Sequence, residues 1–339
     1  MARSRVTGFR MPAEWEPHEG TWISWPKDPD TFPSGILPAV ERTYAKLVKA
    51  LGKGEEVRIL VNDSRAESRV RTLVGDANVS FRQIKTVDVW VRDYGPTYVG
   101  GRKGAAVKWI FNAWGNKYED LKPDNDAGEE IAVSSGLTVI RPGIVLEGGS
   151  IDVNGAGSLL TTEQCLLNPN RNPGMGRRKL EEVLGATLGV TKIVWLGGGI
   201  EGDDTDGHVD DVARFVDGRN VVAAAEPERS DSNHGALKEN LRRLEESQDQ
   251  DGRPLEVVEI PMPRRIVASD GRLPASHLNF YVGNDVVVVP TFGGESDRLA
   301  VERLQEAFPK REVIGIDCRA LVYGLGTLHC VTQQIPVYA

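Results

Sequence analysis

The residue with the clearest capacity for chemistry is Cys330, which lies nine residues from the C-terminus in segment 324–334, Gly-Leu-Gly-Thr-Leu-His-Cys-Val-Thr-Gln-Gln. Glycines open the turn before the thiol and polar residues flank it. Such a setting is better suited to meeting a substrate than to packing in a core. The alternative for any intracellular cysteine is the role of a small buried hydrophobic residue. The rest of the chain favours Cys330 as a nucleophile.

Three segments far upstream supply carboxylates, glycines and one histidine. They are Trp90–Pro96, Glu147–Asp152 and Asp203–Asp211. A nucleophile and its acid/base partners usually meet only through the fold, so their separation along the chain is no objection. These segments are the candidate partners of Cys330.

The third segment has the most unusual composition. Residues 201–211 hold six carboxylates and no basic side chain, and a bound cation would offset their mutual repulsion. If the segment is extended, His208 and Asp210 point into one cleft while Val209 points into the core. This arrangement places a proton-transfer group beside a carboxylate. The alternative is a surface histidine in an acidic turn.

Asp93 and Glu147 are predicted at the ends of two strands. In the run from Val89, alternation places Asp93 on one face of a strand that stops at Tyr94-Gly-Pro, although an ion pair with Arg92 or a turn cap would also account for it. Glu147 precedes two glycines, where the backbone can approach a ligand closely. Either acid alone is weak evidence for a functional site, and the two together are stronger evidence.

The sequence around the acidic segment argues against two kinds of bound cofactor, a dinucleotide and a metal ion. Residues 197–202 satisfy a G-x-G-x-x-G pattern, but aspartates follow where a pyrophosphate needs the N-terminus of a helix. An EF-hand loop would need acids at Gly202 and Ala213. The histidines are too scattered for zinc-ligand spacing. The sequence therefore predicts neither a coenzyme nor a metal.

Composition restricts the class of protein. The 339 residues have a net charge of −8, which argues against nucleic acid and mildly favours a cationic ligand. No apolar run approaches the roughly 18 residues of a membrane helix, and no secretory signal follows the basic start. Three cysteines, an odd and low count, argue against a disulfide framework. We predict a cytoplasmic enzyme with reduced thiols, active on a small molecule and not at a membrane.

The elements that must position these residues alternate between helix and strand, which indicates an α/β fold. No internal repeat can be read from the residues, and no linker divides the chain, so one domain over residues 1–339 is predicted. Helical periodicity covers residues 36–51, 65–74, 176–188, 235–246 and 296–308. Strands are predicted at residues 57–61, 107–111, 192–196, 220–224, 255–260, 286–289 and 312–316.

A thiol, a histidine and several convergent acids suit a planar cation such as guanidinium. Two carboxylates can bind its N–H groups in bidentate fashion. Once bound by anions, its central carbon can be attacked by a thiolate while ammonia leaves. Histidine would protonate the leaving amine and then activate water.

Several long motifs now resemble a known family. The segments Glu14–Pro26, Leu160–Pro173 and Thr327–Gln334, together with the three acidic segments, look like the agmatine deiminase family, which is related to bacterial peptidylarginine deiminases. The resemblance runs from about residue 11 to 336. It implies a fivefold pseudo-symmetric α/β propeller of ββαβ units with the site at its central axis.

The resemblance also implies a reaction and a set of roles. Agmatine would become N-carbamoylputrescine and ammonia, in a polyamine route, through a covalent thiouronium on Cys330 and without metal or coenzyme. His208 would be the general acid/base, and Asp93 and Asp210 would clamp the guanidinium. Glu147 would orient His208 and contact the substrate.

Two further residues concern the substrate. Trp90 would line the channel, and Asp204 would help to bind the far end of the substrate. Agmatine-specific family members commonly carry Glu at the position of Asp204 and Asn at that of Asp211. Both positions flank the pocket, so these differences bear on the substrate and not on the chemistry. The alternatives are another guanidine, such as peptidyl-arginine or free arginine, and a non-catalytic acidic module that binds a cationic partner. A homo-oligomer is left open.

Overall fold

The long helices follow the amphipathic segments of the sequence. A computed structural model describes residues 8–101, 104–269 and 271–338. The five predicted helices are confirmed, each within two residues of its expected bounds. The helices of the described residues are α1 Leu37–Leu51, α2 Ser64–Val74, α3 Val91–Tyr94, α4 Ala113–Asn116, α5 Asp124–Ser134, α6 Glu163–Leu166, α7 Arg177–Leu188, α8 Asn233–Glu245 and α9 Glu295–Ala307.

The strands are short and mostly buried, which is typical of sheets covered by helices. In chain order they are β1 His18–Ser24, β2 Glu56–Val61, β3 Val79–Gln83, β4 Thr97–Val99, β5 Ala105–Val107, β6 Thr138–Ile140, β7 Asp152–Val153, β8 Ser158–Thr162, β9 Lys192–Leu196, β10 Ala213–Phe215, β11 Asn220–Ala225, β12 Glu256–Pro261, β13 Val267–Ala268, β14 Gly271–Arg272, β15 Tyr281–Val282, β16 Val286–Thr291, β17 Glu312–Asp317 and β18 Gln333–Pro336. The α/β class predicted from the sequence is confirmed.

Five sheets share one pattern of strands. Their orders are β18-β1-β2-β3, β4-β5-β6, β7-β8-β9, β10-β11-β12 and β15-β16-β17. In each, the first two strands are antiparallel, the next pair is parallel, and a helical segment connects the parallel pair. A repeated unit is therefore present although no repeat can be read from the residues.

The first sheet joins the two ends of the chain. Strand β18 pairs antiparallel with β1, with Gln333 opposite Trp22 and Pro336 opposite His18. Apolar residues of this sheet and of α1 pack into one large buried cluster, which also includes Cys330. The segment that carries the predicted nucleophile is thereby anchored to the N-terminal part of the protein.

Four strand predictions are wrong. The residues before Glu147 form no strand, and only an isolated bridge joins Val145 to Ile110. The strand predicted at 107–111 overlaps the observed β5 only at Val107. The segment around Asp93 is the short helix α3, and His208 precedes a 3₁₀ turn, Val209–Asp211. All residues of both turns are buried, so no exposed face gives them a helical or an alternating pattern. Val209 nevertheless lies in the core, as expected.

Helix α5 was not predicted because it is rich in acids and contains Gly128. The glycine has a packing reason, since a Cβ atom there would lie 1.8 Å from the carbonyl oxygen of Tyr94. Helix α5 therefore packs directly against α3, which carries Asp93. Among the described residues, no helix is long and apolar enough to cross a membrane.

Candidate active site

Cys330 lies at the wall of a cavity of about 340 Å³. It follows the 3₁₀ turn Leu321–Gly324 and precedes β18. The residue is 8% exposed, so the thiol is more buried than its polar neighbours suggested. Gly326 lets the ring of Trp90 approach, because a Cβ atom there would lie 2.4 Å from the indole. Trp90 thus borders the same cavity as Cys330.

Asn279 holds the turn that carries the thiol, and sequence reasoning missed it. Its Oδ1 accepts hydrogen bonds from Thr327 Oγ1 at 2.8 Å and from the backbone N–H of His329 at 3.0 Å. Its Nδ2 lies 3.1 Å from Cys330 Sγ. Asn279 sits just before β15 with no acidic or glycine-rich neighbours, so no sequence signal marks it.

Asp93, His208 and Asp210 converge on Gly149. A Cβ atom at Gly149 would lie 2.5 Å from His208 Nδ1, 2.9 Å from Asp93 Oδ1 and 3.0 Å from Asp210 Oδ2. The backbone N–H of Gly149 donates to Asp93 Oδ1 at 3.0 Å. Asp210 Oδ2 also lies 3.7 Å from Cys330 Sγ. The predicted nucleophile, histidine and clamp carboxylates therefore belong to one site.

The two clamp carboxyl groups have opposite electrostatic settings. Burial, followed by the charges of Asp210 and Glu147, raises the pKa of Asp93 well above its ordinary value, although Trp114 Nε1 donates to it at 3.0 Å. Burial is the largest influence on Asp210 and raises its pKa, but the hydrogen bond to His329 and the charges of His329, His208 and Arg214 together leave this pKa below the ordinary value. A bound cation would favour the ionised form of both.

His208 is buried without a close partner. Its Nδ1 is 3.8 Å from Asp93 Oδ1, and its Nε2 is 4.0 Å from Glu147 Oε2, both beyond hydrogen-bond distance. Burial lowers its pKa to about 3, so the imidazole is neutral at pH 7. Burial and the surrounding aspartates raise the pKa of the Cys330 thiol well above its ordinary value. Without substrate, the pair is a thiol and a neutral imidazole.

Glu147 is held from one side only. Arg171 Nε donates to Glu147 Oε1 at 2.7 Å, whereas Glu147 Oε2 has no hydrogen-bond partner. Arg171 also donates to Asp206 Oδ2 at 2.5 Å and to the carbonyl oxygen of Thr205 at 2.8 Å. This arginine offsets part of the negative charge of segment 201–211, a role that the sequence analysis assigned to a bound cation. It ties Glu147 to the turn before His208.

The cavity mouth is acidic. Asp204 borders it and accepts a hydrogen bond from Tyr118, while Lys117 is turned to the Asp204 carbonyl oxygen and to Asp206. Asp28, Asp30, Asp88 and Asp120 line the same cavity. Among the described residues that line it, none is Lys or Arg. The cavity therefore attracts cations along its whole depth.

A buried ion network lies behind Asp210, and sequence reasoning missed it too. His329 Nδ1 is 2.7 Å from Asp210 Oδ2, and its Nε2 is 2.8 Å from Glu14 Oε2. Glu14 in turn pairs with Arg214 at 3.0 Å and with Arg92 at 3.3 Å. Burial raises the pKa of Glu14, but Arg214, His329 and Arg92 together lower it well below the ordinary value. The position of His329 beside Cys330 was the only available signal.

The site residues come from equivalent places in five sheets. Each lies two to five residues before the first strand of its sheet: Asp93 before β4, Glu147 before β7, His208 and Asp210 before β10, Asn279 before β15 and Cys330 before β18. The repeated unit thus delivers one turn per sheet to a common point. Similar local positions explain how residues so distant in sequence come together.

Known proteins define the class to which this arrangement belongs. Residues 10–336 match the Porphyromonas-type peptidyl-arginine deiminase family. An agmatine deiminase of Pseudomonas aeruginosa (strain LESB58) is 38% identical over 357 residues, covering 98% of this chain and 96% of the relative. The chain therefore belongs to this deiminase family, as the sequence analysis predicted.

Solved structures agree. The agmatine deiminase of Enterococcus faecalis has a TM-score of 0.92 at 34% identity, covering 97% of this chain and 96% of that one. A cysteine-to-serine variant of the C. jejuni agmatine deiminase with substrate bound has a TM-score of 0.87 at 29% identity, covering 96% of each chain. A dimethylarginine dimethylaminohydrolase has a TM-score of 0.53 at 15% identity, covering 94% of this chain and 100% of that one, and shows the fold alone.

Proposed function

We propose that this protein hydrolyses agmatine to N-carbamoylputrescine and ammonia. The relatives named agmatine deiminase support the substrate, and the cavity supports it independently. Agmatine carries a guanidinium at one end and an ammonium at the other. The cavity has acids at both its base and its mouth and no basic residue among its described lining residues. This distribution of carboxylates is the observation that carries the proposal.

The first half of the reaction follows from the protonation states. Asp93 and Asp210 bind the guanidinium, whose positive charge lowers the pKa of the adjacent Cys330 thiol. Neutral His208 takes the thiol proton, and the thiolate adds to the guanidinium carbon. His208 then returns the proton to an –NH₂ group, the C–N bond breaks, and ammonia leaves. A thiouronium on Cys330 remains.

The second half reverses these proton transfers. His208, neutral again, accepts a proton from a water molecule as its oxygen adds to the thiouronium carbon. Collapse of that adduct breaks the C–S bond and forms the ureido carbonyl, while the proton held by His208 passes to the sulfur and the remaining hydroxyl proton leaves to solvent. Glu147, fixed by Arg171, holds the imidazole orientation and would contact the substrate once it is bound. The products are N-carbamoylputrescine and the regenerated thiol.

Other guanidines are disfavoured by the same cavity. Free arginine would bring its α-carboxylate to the mouth, where Asp28, Asp30, Asp120 and Asp204 line the cavity. Like charges repel, and no basic residue among the described lining residues would pair with the carboxylate. Peptidyl-arginine lacks both this charge and the terminal ammonium. An acidic module that merely binds a cation would not need the Cys330 thiol 3.7 Å from the clamp residue Asp210.

The five sheets support a propeller arrangement. We propose that the propeller forms a single catalytic domain that spans residues 1–339. Its five units would surround a central axis at which the five turns deliver the site residues. The pairing of β18 with β1 would close the ring. The three free cysteines support the predicted cytoplasmic location.

The test is incubation of the purified protein with agmatine, free arginine and a blocked arginine amide. Ureido product and ammonia are measured for each. Agmatine should have the highest kcat/KM, and Cys330→Ala should give no product while Cys318→Ala remains active. A preference for the arginine amide would overturn the substrate. Turnover by Cys330→Ala would overturn the mechanism.

A further inference from the structure

Cys165 lies beside the proton-transfer groups but has no part in the reaction described above. A carboxylate oxygen of Glu147, Cys165 Sγ and a ring nitrogen of His208 all lie within 4.8 Å of one another. All three side chains are buried, with Glu147 and Cys165 at 0% and His208 at 1% exposure. A thiol, an imidazole and a carboxylate are three of the ligand types that bind Zn²⁺ in proteins.

Two of the three ligand atoms lack a hydrogen-bond partner. Glu147 Oε2 and His208 Nε2 are both buried and unpartnered, and they lie 4.0 Å apart. Buried polar atoms in this state are rare and call for an explanation. Arg171 occupies only Oε1 of Glu147, so the other oxygen remains free to bind a cation. The unpartnered atoms therefore point to a ligand between them.

The backbone fixes Cys165 next to the His208 turn. Thr162 Oγ1 accepts a hydrogen bond from the Cys165 N–H at 3.2 Å and donates to the carbonyl oxygen of Gly207 at 2.6 Å. Thr162 is fully buried at the end of β8. One side chain thus joins the turn that carries Cys165 to the residue before His208. The three ligand groups are held in place and are not a chance encounter of mobile side chains.

We propose that Glu147, Cys165 and His208 form a site for a thiophilic divalent cation such as Zn²⁺, and that its binding inhibits the enzyme. Tetrahedral ligation places ligand atoms about 3.5 Å apart, so three atoms that lie within 4.8 Å of one another must approach by at most about 1.3 Å. His208 has no hydrogen bond to break for this movement. Water would take the fourth position. The thiol releases its proton to solvent as the sulfur–metal bond forms.

The acidic cavity supplies a path for the cation. Asp93, which lines the cavity, is 3.8 Å from the His208 ring, so a cation that reaches the clamp is one side chain from the proposed site. Asp203 and Asp206 add negative charge near Cys165, and Arg171 opposes it. Metal on His208 and Glu147 would remove the acid/base group and its orienting partner together. Binding does not depend on the proposed reaction, whereas inhibition rests on it.

Cobalt binding tests the site without using activity. We would titrate Co²⁺ into Cys330→Ala protein, so that the nucleophile cannot serve as a ligand, and record the thiolate-to-cobalt charge-transfer absorption. The band should appear and saturate at one equivalent. It should disappear in the Cys330→Ala/Cys165→Ala protein and persist in the matched Cys330→Ala/Cys318→Ala control. A band that survives the loss of Cys165, or no band in Cys330→Ala, would overturn the proposal.

Inhibition tests the consequence. Zn²⁺ is added to the wild type, Cys165→Ala, Cys165→Ser and Cys318→Ala, and initial rates with agmatine are measured. Cys165→Ala should turn over agmatine and need at least about tenfold more Zn²⁺ for half inhibition, since one of three protein ligands is lost. Cys165→Ser preserves the size of the side chain if the alanine variant folds poorly. Equal sensitivity of all four proteins would place the inhibitory metal elsewhere, at Cys330 for example.

Discussion

Two buried histidines of the site, His208 and His329, differ in almost every contact. His329 is hydrogen-bonded at both ring nitrogens, at 2.7 Å to Asp210 and 2.8 Å to Glu14. His208 has its nearest carboxylates at 3.8 and 4.0 Å and an unpartnered Nε2. Both ring nitrogens of His329 have a hydrogen-bond partner, whereas the ring of His208 has none among the described residues.

The difference in hydrogen bonding separates a histidine that supports the fold from a histidine that takes part in the reaction. A buried group that already has its partners fixes geometry and stabilises the fold, because any movement would strand a charge. A buried group without partners costs stability but can bond to the substrate as charge develops. We therefore expect substitutions around His329 to act first on stability and substitutions around His208 to act first on turnover.

The largest expected effect is that of His208→Gln. Turnover of agmatine should fall by about 10²- to 10⁴-fold, the usual contribution of a general acid/base. The free energy of unfolding at pH 7 should change by less than about 1 kcal/mol, because no hydrogen bond is lost. Steady-state kinetics and urea unfolding measure the two quantities. Near-normal turnover, or strong destabilisation, would break the comparison.

A matched pair of substitutions sharpens the comparison at the clamp. Asp93→Asn and Asp210→Asn should each lower turnover by about 10²- to 10³-fold, since each removes a charge from the guanidinium site. Only Asp210→Asn should also destabilise the fold, because it removes the carboxylate that His329 Nδ1 contacts at 2.7 Å. In both variants Cys330 should still react with a small alkylating agent. Equal unfolding free energies for the two variants would argue against the assigned division of roles.

His329→Gln tests the histidine that supports the fold. It should lower the free energy of unfolding by about 3–5 kcal/mol, as expected when one partner of a buried ion network is removed. Catalysis should be impaired mainly through the displaced Asp210, so KM should rise and alkylation of Cys330 should persist. Glu14→Gln is the companion variant and should destabilise in the same direction. Stability unchanged in both would show that the network is dispensable.

The pH dependence of stability tests the lowered pKa of His208. The pKa of His208 is about 3 in the folded state and near its ordinary value of 6.5 when unfolded. Neutral His208 therefore opposes folding least above pH 6.5. As the pH falls from 6.5 toward 3, the free energy of unfolding decreases by about 1.4 kcal/mol per pH unit, because the unfolded state binds a proton that the folded state does not. The stability difference between wild type and His208→Gln should shrink or reverse accordingly. A pH-independent difference between pH 6.5 and 4.5 would contradict the lowered pKa.

The smallest effect is expected at the mouth, where Asp204 is partly exposed and already bonded to Tyr118. Asp204→Glu should extend the carboxylate toward the substrate ammonium and lower KM for agmatine by at most about fivefold, the scale of an exposed ion pair. The change in kcat should be smaller, because such a contact is equally strong in ground and transition states. An unchanged ranking of agmatine, its homologue longer by one methylene and an arginine amide would remove Asp204 from substrate binding.

Much of the fold could be predicted because its helices have clear amphipathic faces. The predicted helices, the α/β class and the family are confirmed. Helix α5 was not predicted, because its close packing on α3 requires Gly128, and glycine disfavours a helix. The turns that carry Asp93 and His208 were not predicted, because complete burial leaves no periodic pattern of polar and apolar residues.

The groups that could react were recognisable from the amino-acid sequence, because a thiol, an imidazole and acids in glycine-rich turns are chemically distinctive. The long motifs also identified the family. The roles of Asn279, Glu14 and His329 in holding these groups became visible in the folded protein, since hydrogen bonds between distant segments leave no local signature. The tertiary structure also decided that Cys165 lies beside His208 and Glu147. The physical reason is that the reactivity of a side chain resides in its type, whereas its partners, burial and pKa depend on what the fold places around it.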